Sequence, residues 1–218
     1  AEIRDPFILR DFRGTTIELN AFQYNPVKER LRVYTSVTVE IVNTGLGTIN
    51  VLQNADRTKI VDDFKQIYSR RFINYEFETD KYTMLTEAGD LLIICYDAFM
   101  TDMQPFVDWK MQKGIKTTMV GTSTAGTTSS AIESYIQTAY DNNNDLAFVL
   151  LVGDAAQMPS MYASGGSSDP SYGKVVGTDN LPDIIIGRFS AETTTHVQTQ
   201  VTKSVEYEYN PYGSDWFH

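Results

Sequence analysis

Three residues of this 218-residue chain could serve nucleophilic catalysis: Cys95, His196 and His218. A thiolate mechanism needs an accessible sulfur beside an imidazole. Cys95 ends the apolar run Leu91-Leu92-Ile93-Ile94-Cys95, whose length suits a buried strand, and a buried cysteine behaves as a small hydrophobe. His196 stands beside Val197 on a predicted helix and reads as a solvated or edge-of-core residue. His218 is the last residue. No G-x-S-x-G or H-E-x-x-H pattern is present, so these residues compose no catalytic dyad. The stretch Gly121 to Gly126 has the glycines of a phosphate cradle but no Lys-Ser/Thr after them, and reads as a loop.

Oxygen ligands are better represented. A hard cation such as calcium takes six to eight oxygens from carboxylates, carbonyls and water. Asp154 follows a predicted buried strand. Asp179 and Asp183 flank a Pro-containing turn after Gly177, close enough to fold around one ion. A solvated acidic turn is the competing reading. Net charge is −10, spread unevenly: residues 1–80 carry 11 basic against 12 acidic side chains, and residues 81–218 carry 7 against 16. Nucleic-acid binding is disfavoured, because it needs a basic face. One cysteine excludes an internal disulfide framework. No window approaches the eighteen apolar residues of a transmembrane helix, and Ala1 opens no signal peptide, so an exported protein would have lost its signal.

The elements that must position these residues fall into two blocks. Residues 1–45 read as strands: Phe7 to Leu9, a turn at Arg13-Gly14, Thr15 to Leu19, and a β-branched run from Leu31 to Val42. Such a meander needs a partner layer to be stable. An amphipathic helix follows over 56–72, with Ile60, Phe64, Ile67, Tyr68 and Phe72 at helical spacing. From Gly89 on, strands at 91–96, 115–120, 146–152 and 184–186 alternate with helices. Thr101/Gln104 and Ser130/Glu133 have capping-box spacing. Ala155 to Ser171 is a long loop, and Val197, Val201 and Val205 line one face of the last helix. The fold class is α/β, a mostly parallel sheet flanked by helices behind a β-rich segment, with sites expected outside the carboxyl ends of the strands.

Several stretches, in this order, resemble the gingipain family of cysteine peptidases: Phe106 to Gly114 (FVDWKMQKG), Phe148 to Asp154 (FVLLVGD), Ser168 to Asp179 (SDPSYGKVVGTD), Asp183 to Ser190 (DIIIGRFS) and Tyr207 to Asn210 (YEYN). Residues 1–80 resemble the end of the family's β-rich pro-segment. The resemblance implies that 81–218 form the first sub-domain of a caspase-like peptidase domain, with the catalytic cysteine and histidine on a second sub-domain beyond this chain. It implies a structural Ca2+ held by the side chains of Asp154, Asp179 and Asp183 and the carbonyls of Val176 and Leu181. Asp183 stands where relatives use Glu, which shortens the reach.

A zymogen family gives Arg70-Arg71 and Lys81 a second reading, as maturation cleavage points; the plain one for the pair is a solvated helix face. The implied parent is secreted or on a bacterial cell surface and acts on protein substrates. Its partners would be the second sub-domain and the rest of the pro-segment. The competing readings are a non-catalytic surface module that keeps the half-domain, and a relative that processes secretion signals in type IX export.

Overall fold

Leu92, Ile93, Ile94 and Cys95 are at most 4% exposed, so the strand they form is covered on both faces, as a parallel sheet between helices requires. In the computed structural model, which describes residues 2–42, 45–53, 60–75 and 89–210, the chain begins with six short strands: β1 (Glu2–Ile3), β2 (Phe7–Leu9), β3 (Phe12–Gly14), β4 (Ile17–Glu18), β5 (Phe22–Asn25) and β6 (Arg30–Val33). Helix α1 (Asp62–Arg71) follows, then β7 (Asp90–Cys95), α2 (Met100–Gln112), β8 (Thr117–Gly121), a single turn α3 (Thr122–Ala125), α4 (Ser129–Asn142) and β9 (Leu146–Val152). The remaining elements are the hairpin β10 (Met161–Ala163) and β11 (Gly166–Ser168), then β12 (Ile185–Phe189) and α5 (Thr194–Tyr209).

The main sheet has the order β12-β9-β7-β8 and is parallel throughout. Alternate residues serve opposite faces. Leu91, Ile93 and Cys95 pack on Met103, Phe106 and Val107 of α2 and on Val197 and Val201 of α5. Leu92 and Ile94 pack on Ile132, Ile136 and Tyr140 of α4. Each fully buried aliphatic side chain contributes about 1.5–3 kcal/mol, so these two layers carry the sub-domain. The amino-terminal block adds a third cluster, in which Leu9, Val61, Phe64 and Tyr68 enclose Ala147 of β9.

Local details depart from the sequence expectations. The first turn falls at Arg10-Asp11, between β2 and β3, rather than at Arg13-Gly14. The run 31–42 forms a strand only to Val33, where Tyr34 N–H to Ala21 O ends the β5–β6 pairing. β-branched residues hold an extended ladder only where a neighbouring strand accepts it. Helix α1 starts at Asp62, and 56–59 of its expected span lie outside the described residues. Thr101 is not a cap. A 3₁₀ turn at Asp97–Phe99 runs straight into α2, so Thr101 lies inside the helix, and Gln104 bonds Asp108. The cap of α4 is Thr128, not Ser130: Thr128 is extended and its hydroxyl accepts from Ala131 N–H. The long loop holds the β10–β11 hairpin, turned by Ser164 (φ +50°) and Gly165 (φ +86°), the positive-φ pair a two-residue hairpin needs.

The open ends of α2 and α5 are joined by Glu208. Its carboxylate accepts from the Trp109 indole (2.9 Å), Lys110 (2.5 Å) and Lys113 (2.9 Å). Burial alone would raise its pKa, but these donors outweigh burial and hold it at about 2. A pKa below the unfolded value, about 4.3 for Glu, gives stability that is complete above that value and lost as pH falls through the folded pKa. Glu208→Gln is therefore expected to cost about 1–2 kcal/mol at pH 7, the gap closing as pH approaches 2, as read from thermal melts across that range.

Candidate functional site

The carboxyl ends of β7, β9 and β12 form the edge where a parallel sheet carries its ligands. Cys95 ends β7 there, but it is fully buried, its Sγ–H directed at Tyr96 O (3.3 Å). Burial, seconded by Asp97 and Asp102, pushes the thiol up to about 12, so it stays protonated at neutral pH and is no nucleophile. His196 sits exposed in the first turn of α5, where its Nδ1 faces Glu192 N–H at 3.4 Å. A sealed sulfur and a surface imidazole do not make a dyad. His218 lies outside the described residues. The Gly121–Gly126 stretch is no phosphate cradle either. Asp97 already occupies it, accepting from Thr122 Oγ1, Ser123 N and Ser123 Oγ, and a Cβ at Gly121 would collide with that carboxylate.

Asp154 stands on this edge, two residues past β9. It accepts the Ser190 hydroxyl at 2.7 Å, which with the Ala155 N–H holds its carboxyl below the ordinary range. The loop that carries it is fixed by Arg188, whose partners lie 19 to 35 residues away in sequence and leave no local signal. Arg188 grips Asp169 through Nε (2.6 Å) and Nη2 (2.7 Å). Its Nη1 reaches the carbonyls of Gly153 and Met158, both at 2.8 Å. A guanidinium can bind a carboxylate bidentately and two carbonyls at once, and a lysine cannot.

The opposite, amino-end edge carries a denser arrangement. Arg10 N–H donates to Asp183 Oδ1 (2.7 Å), and Ile8 N–H to Asp179 Oδ2 (2.7 Å). These donors are two residues apart, one on β2 and one in the turn that follows it, and both face outward from the hairpin. Asp183 Oδ2 accepts from Val175 N (3.1 Å) and Val176 N (2.8 Å), and Asp179 Oδ1 from Leu181 N (2.9 Å). The Arg10 side chain is 1% exposed and donates to Asn144 O (2.5 Å), Leu146 O (2.8 Å) and Asp183 O (3.0 Å). Phe64 and Tyr140 flank its guanidinium, 4.6 and 5.3 Å from carbon to ring centroid. Burial pushes the Asp183 carboxyl up to about 6 against the pull of its three N–H donors.

The five residues expected to share one calcium ion therefore divide. Arg10 Nη1 bonds both Leu146 O and Asp183 O, which places Asp183 level with the start of β9. Asp154 lies eight residues further along, roughly 25 Å away at the rise of an extended strand. All four carboxylate oxygens of Asp179 and Asp183 face N–H donors rather than an open cation cage, and the N–H groups of Val176 and Leu181 point at these carboxylates. Among the described residues no three His, Cys, Asp or Glu side chains converge as a metal site. A single ion on all five residues does not fit this arrangement.

Arg70 and Arg71 are exposed in the last turn of α1, where positive charge suits the helix dipole. Tyr68 and Phe72 around them pack against Phe12, so presenting this pair as an extended substrate would unwind a packed turn. Lys81 lies outside the described residues.

Two outcomes follow from this geometry. Asp169→Asn is expected to cost about 2 kcal/mol and to open the 155–171 loop to limited proteolysis, while α2 and α5 stay resistant. EDTA is expected to leave the melting temperature of the chain unchanged. A fall of several degrees, restored by Ca2+, would show a cation where the N–H donors are placed.

Comparison with known proteins agrees with the architecture. Residues 85–217 match the model of Peptidase family C25, and residues 1–83 match Propeptide_C25. Gingipain R2 of Porphyromonas gingivalis (strain ATCC BAA-308 / W83) is 38% identical over 218 residues, covering 96% of this chain and 29% of its own length. Lys-gingipain of the same species (strain ATCC 33277) is 25% identical over 210 residues, covering 92% of this chain and 12% of its own. Among solved structures, the Arg-specific cysteine proteinase gingipain R superposes with a TM-score of 0.54 at 34% identity, over 58% of this chain and 30% of that one. The complex of Porphyromonas gingivalis RgpB pro- and mature domains superposes with a TM-score of 0.53 at 33% identity, over 55% and 29%. This chain thus spans less than a third of these relatives' length. It belongs to peptidase family C25, gingipain-type cysteine peptidases, and joins a stretch of the propeptide to a stretch of the peptidase domain.

Proposed function

We propose that the chain is the pro-segment tail and first peptidase sub-domain of a secreted or surface-bound, gingipain-like cysteine endopeptidase whose Cys/His dyad lies outside these residues. The observation that carries this reading is the pairing of family membership with a cysteine sealed in the central strand. The family's chemistry needs a thiolate, and Cys95 cannot supply one. In the whole protein a thiolate from elsewhere attacks the peptide carbonyl. A histidine passes the proton to the leaving amine, and water then releases the acyl group. The half-domain described here supplies the scaffold: a sheet with two helical layers, a ligand-bearing edge set by Arg188 and Asp169, and a second edge occupied by the pro-segment. Proteins are the expected substrates, and one structural relative is named as Arg-specific. A calcium ion on Asp179 and Asp183 would have to displace the pro-segment N–H donors of Ile8 and Arg10 from their carboxylates.

The full-length protein is expected to hydrolyse peptides ending in Arg or Lys at the scissile bond, and to be inactivated by iodoacetamide. Cys95→Ala should leave turnover and its thiol sensitivity within twofold, and the 218-residue chain alone should show none. A full-length protein that folds but cleaves nothing would support a non-catalytic module, and loss of activity in a folded Cys95→Ala variant would place the nucleophile in the wrong half.

A further inference from the structure

Contacts between the pro-segment block and the peptidase block gather at the amino-end edge of the main sheet. The Arg10 guanidinium spends its Nη groups on three backbone carbonyls, those of Asn144, Leu146 and Asp183. The backbone on either side of Leu9 adds two N–H donors to Asp179 and Asp183. Asn50 extends the contact by accepting from Thr178 N and Oγ1, both at 2.9 Å, and Asp63 accepts Gly89 N–H at 3.2 Å. Arg10 itself adopts φ +49°. That conformation costs a non-glycine residue about 1–2 kcal/mol, whereas glycine adopts it freely. The turn alone would be served better by glycine; what holds an arginine there is its side chain. The buried Nε has no hydrogen-bond partner among the described residues and lies 3.8 Å from Asp11 Oδ2, and backbone carbonyls receive the Nη groups.

We propose that the amino-end edge of the peptidase sheet is a receptor for an arginine presented on a β-hairpin, and that the pro-segment is anchored there non-covalently through Arg10. The receptor is built from peptidase-side groups alone: the three carbonyls, the Asp179 and Asp183 carboxylates and the Tyr140 ring. Its ligand class is narrow. It needs a guanidinium, because an ammonium cannot fork to three separated carbonyls, and it needs two outward N–H groups spaced as those of Ile8 and Arg10. The receptor lies on the edge opposite Asp154 and Ser190. It holds the pro-segment without covering the edge expected to carry substrate, so anchoring and inhibition are separable properties of the pro-segment.

The test uses the 218-residue chain with a recognition sequence for a site-specific protease placed between residues 76 and 88. After cutting, the two pieces should co-elute in size exclusion. A cyclised peptide covering residues 5–15 should displace the pro-segment piece, and its Arg10→Lys version should not. Arg10→Gly, which suits the turn, and Arg10→Lys should each weaken retention by about 100-fold or more. In the uncut variants, hydrogen exchange should speed up at the Ile8 amide while the β7 and β9 amides stay protected, which separates a lost anchor from a lost fold. Retention within threefold of the unaltered chain in both variants, or separation of the unaltered pieces on cutting, would overturn the proposal.

Discussion

A buried guanidinium must be solvated by the protein, because leaving its donors without partners costs several kcal/mol. Arg10 meets that demand through its Nη groups, at the place where two blocks of the chain join, while its buried Nε–H has no hydrogen-bond partner among the described residues. Its Nη groups reach the amino end of β9 and the turn before β12, and its own amide reaches Asp183. The β2–β3 hairpin is too short to be stable by itself. It stands because this side chain and the Leu9, Phe64 and Tyr68 cluster tie it to the sheet. The Tyr68 hydroxyl, bonded to Asp11 at 2.6 Å, fixes the residue next to Arg10.

The two edges of one sheet thus do different work. At the carboxyl ends, Arg188 and Asp169 hold a loop with Asp154 at its root, and Cys95 is closed off in the layer packed on α2 and α5. At the amino ends, two carboxylates face backbone N–H groups from the pro-segment and from their own loop. The same acidic residues that invite a cation in the sequence serve here as acceptors for peptide N–H. A carboxylate is suited to either partner, and what decides is which donor the fold delivers.

Much of the peptidase half was legible in the sequence because its signals are local. The apolar runs of β7 and β9 and the Val197, Val201, Val205 stripe of α5 need only strand and helix periodicity. The pro-segment half was less legible. Residues 34–42 have strand composition but, among the described residues, no neighbouring strand to extend β6, and no pattern within the run reveals that. The caps of α2 and α4 moved because the preceding backbone, a 3₁₀ turn in one case and an extended Thr128 in the other, sets where a helix begins. The site was the least legible part. Asp183 meets Arg10 across 173 residues of sequence, and Asp154 parts from Asp183 because the intervening loop crosses from one sheet edge to the other. The one local hint was an arginine in a tight turn where glycine or asparagine is usual.

The state of the Arg10 guanidinium tests this account most directly, and side-chain nitrogen NMR on the intact chain reads it. The account requires separate, slowly exchanging Nη resonances for Arg10, with couplings across hydrogen bonds to carbonyl carbons. A single averaged Nη signal exchanging with water as fast as free arginine would contradict it.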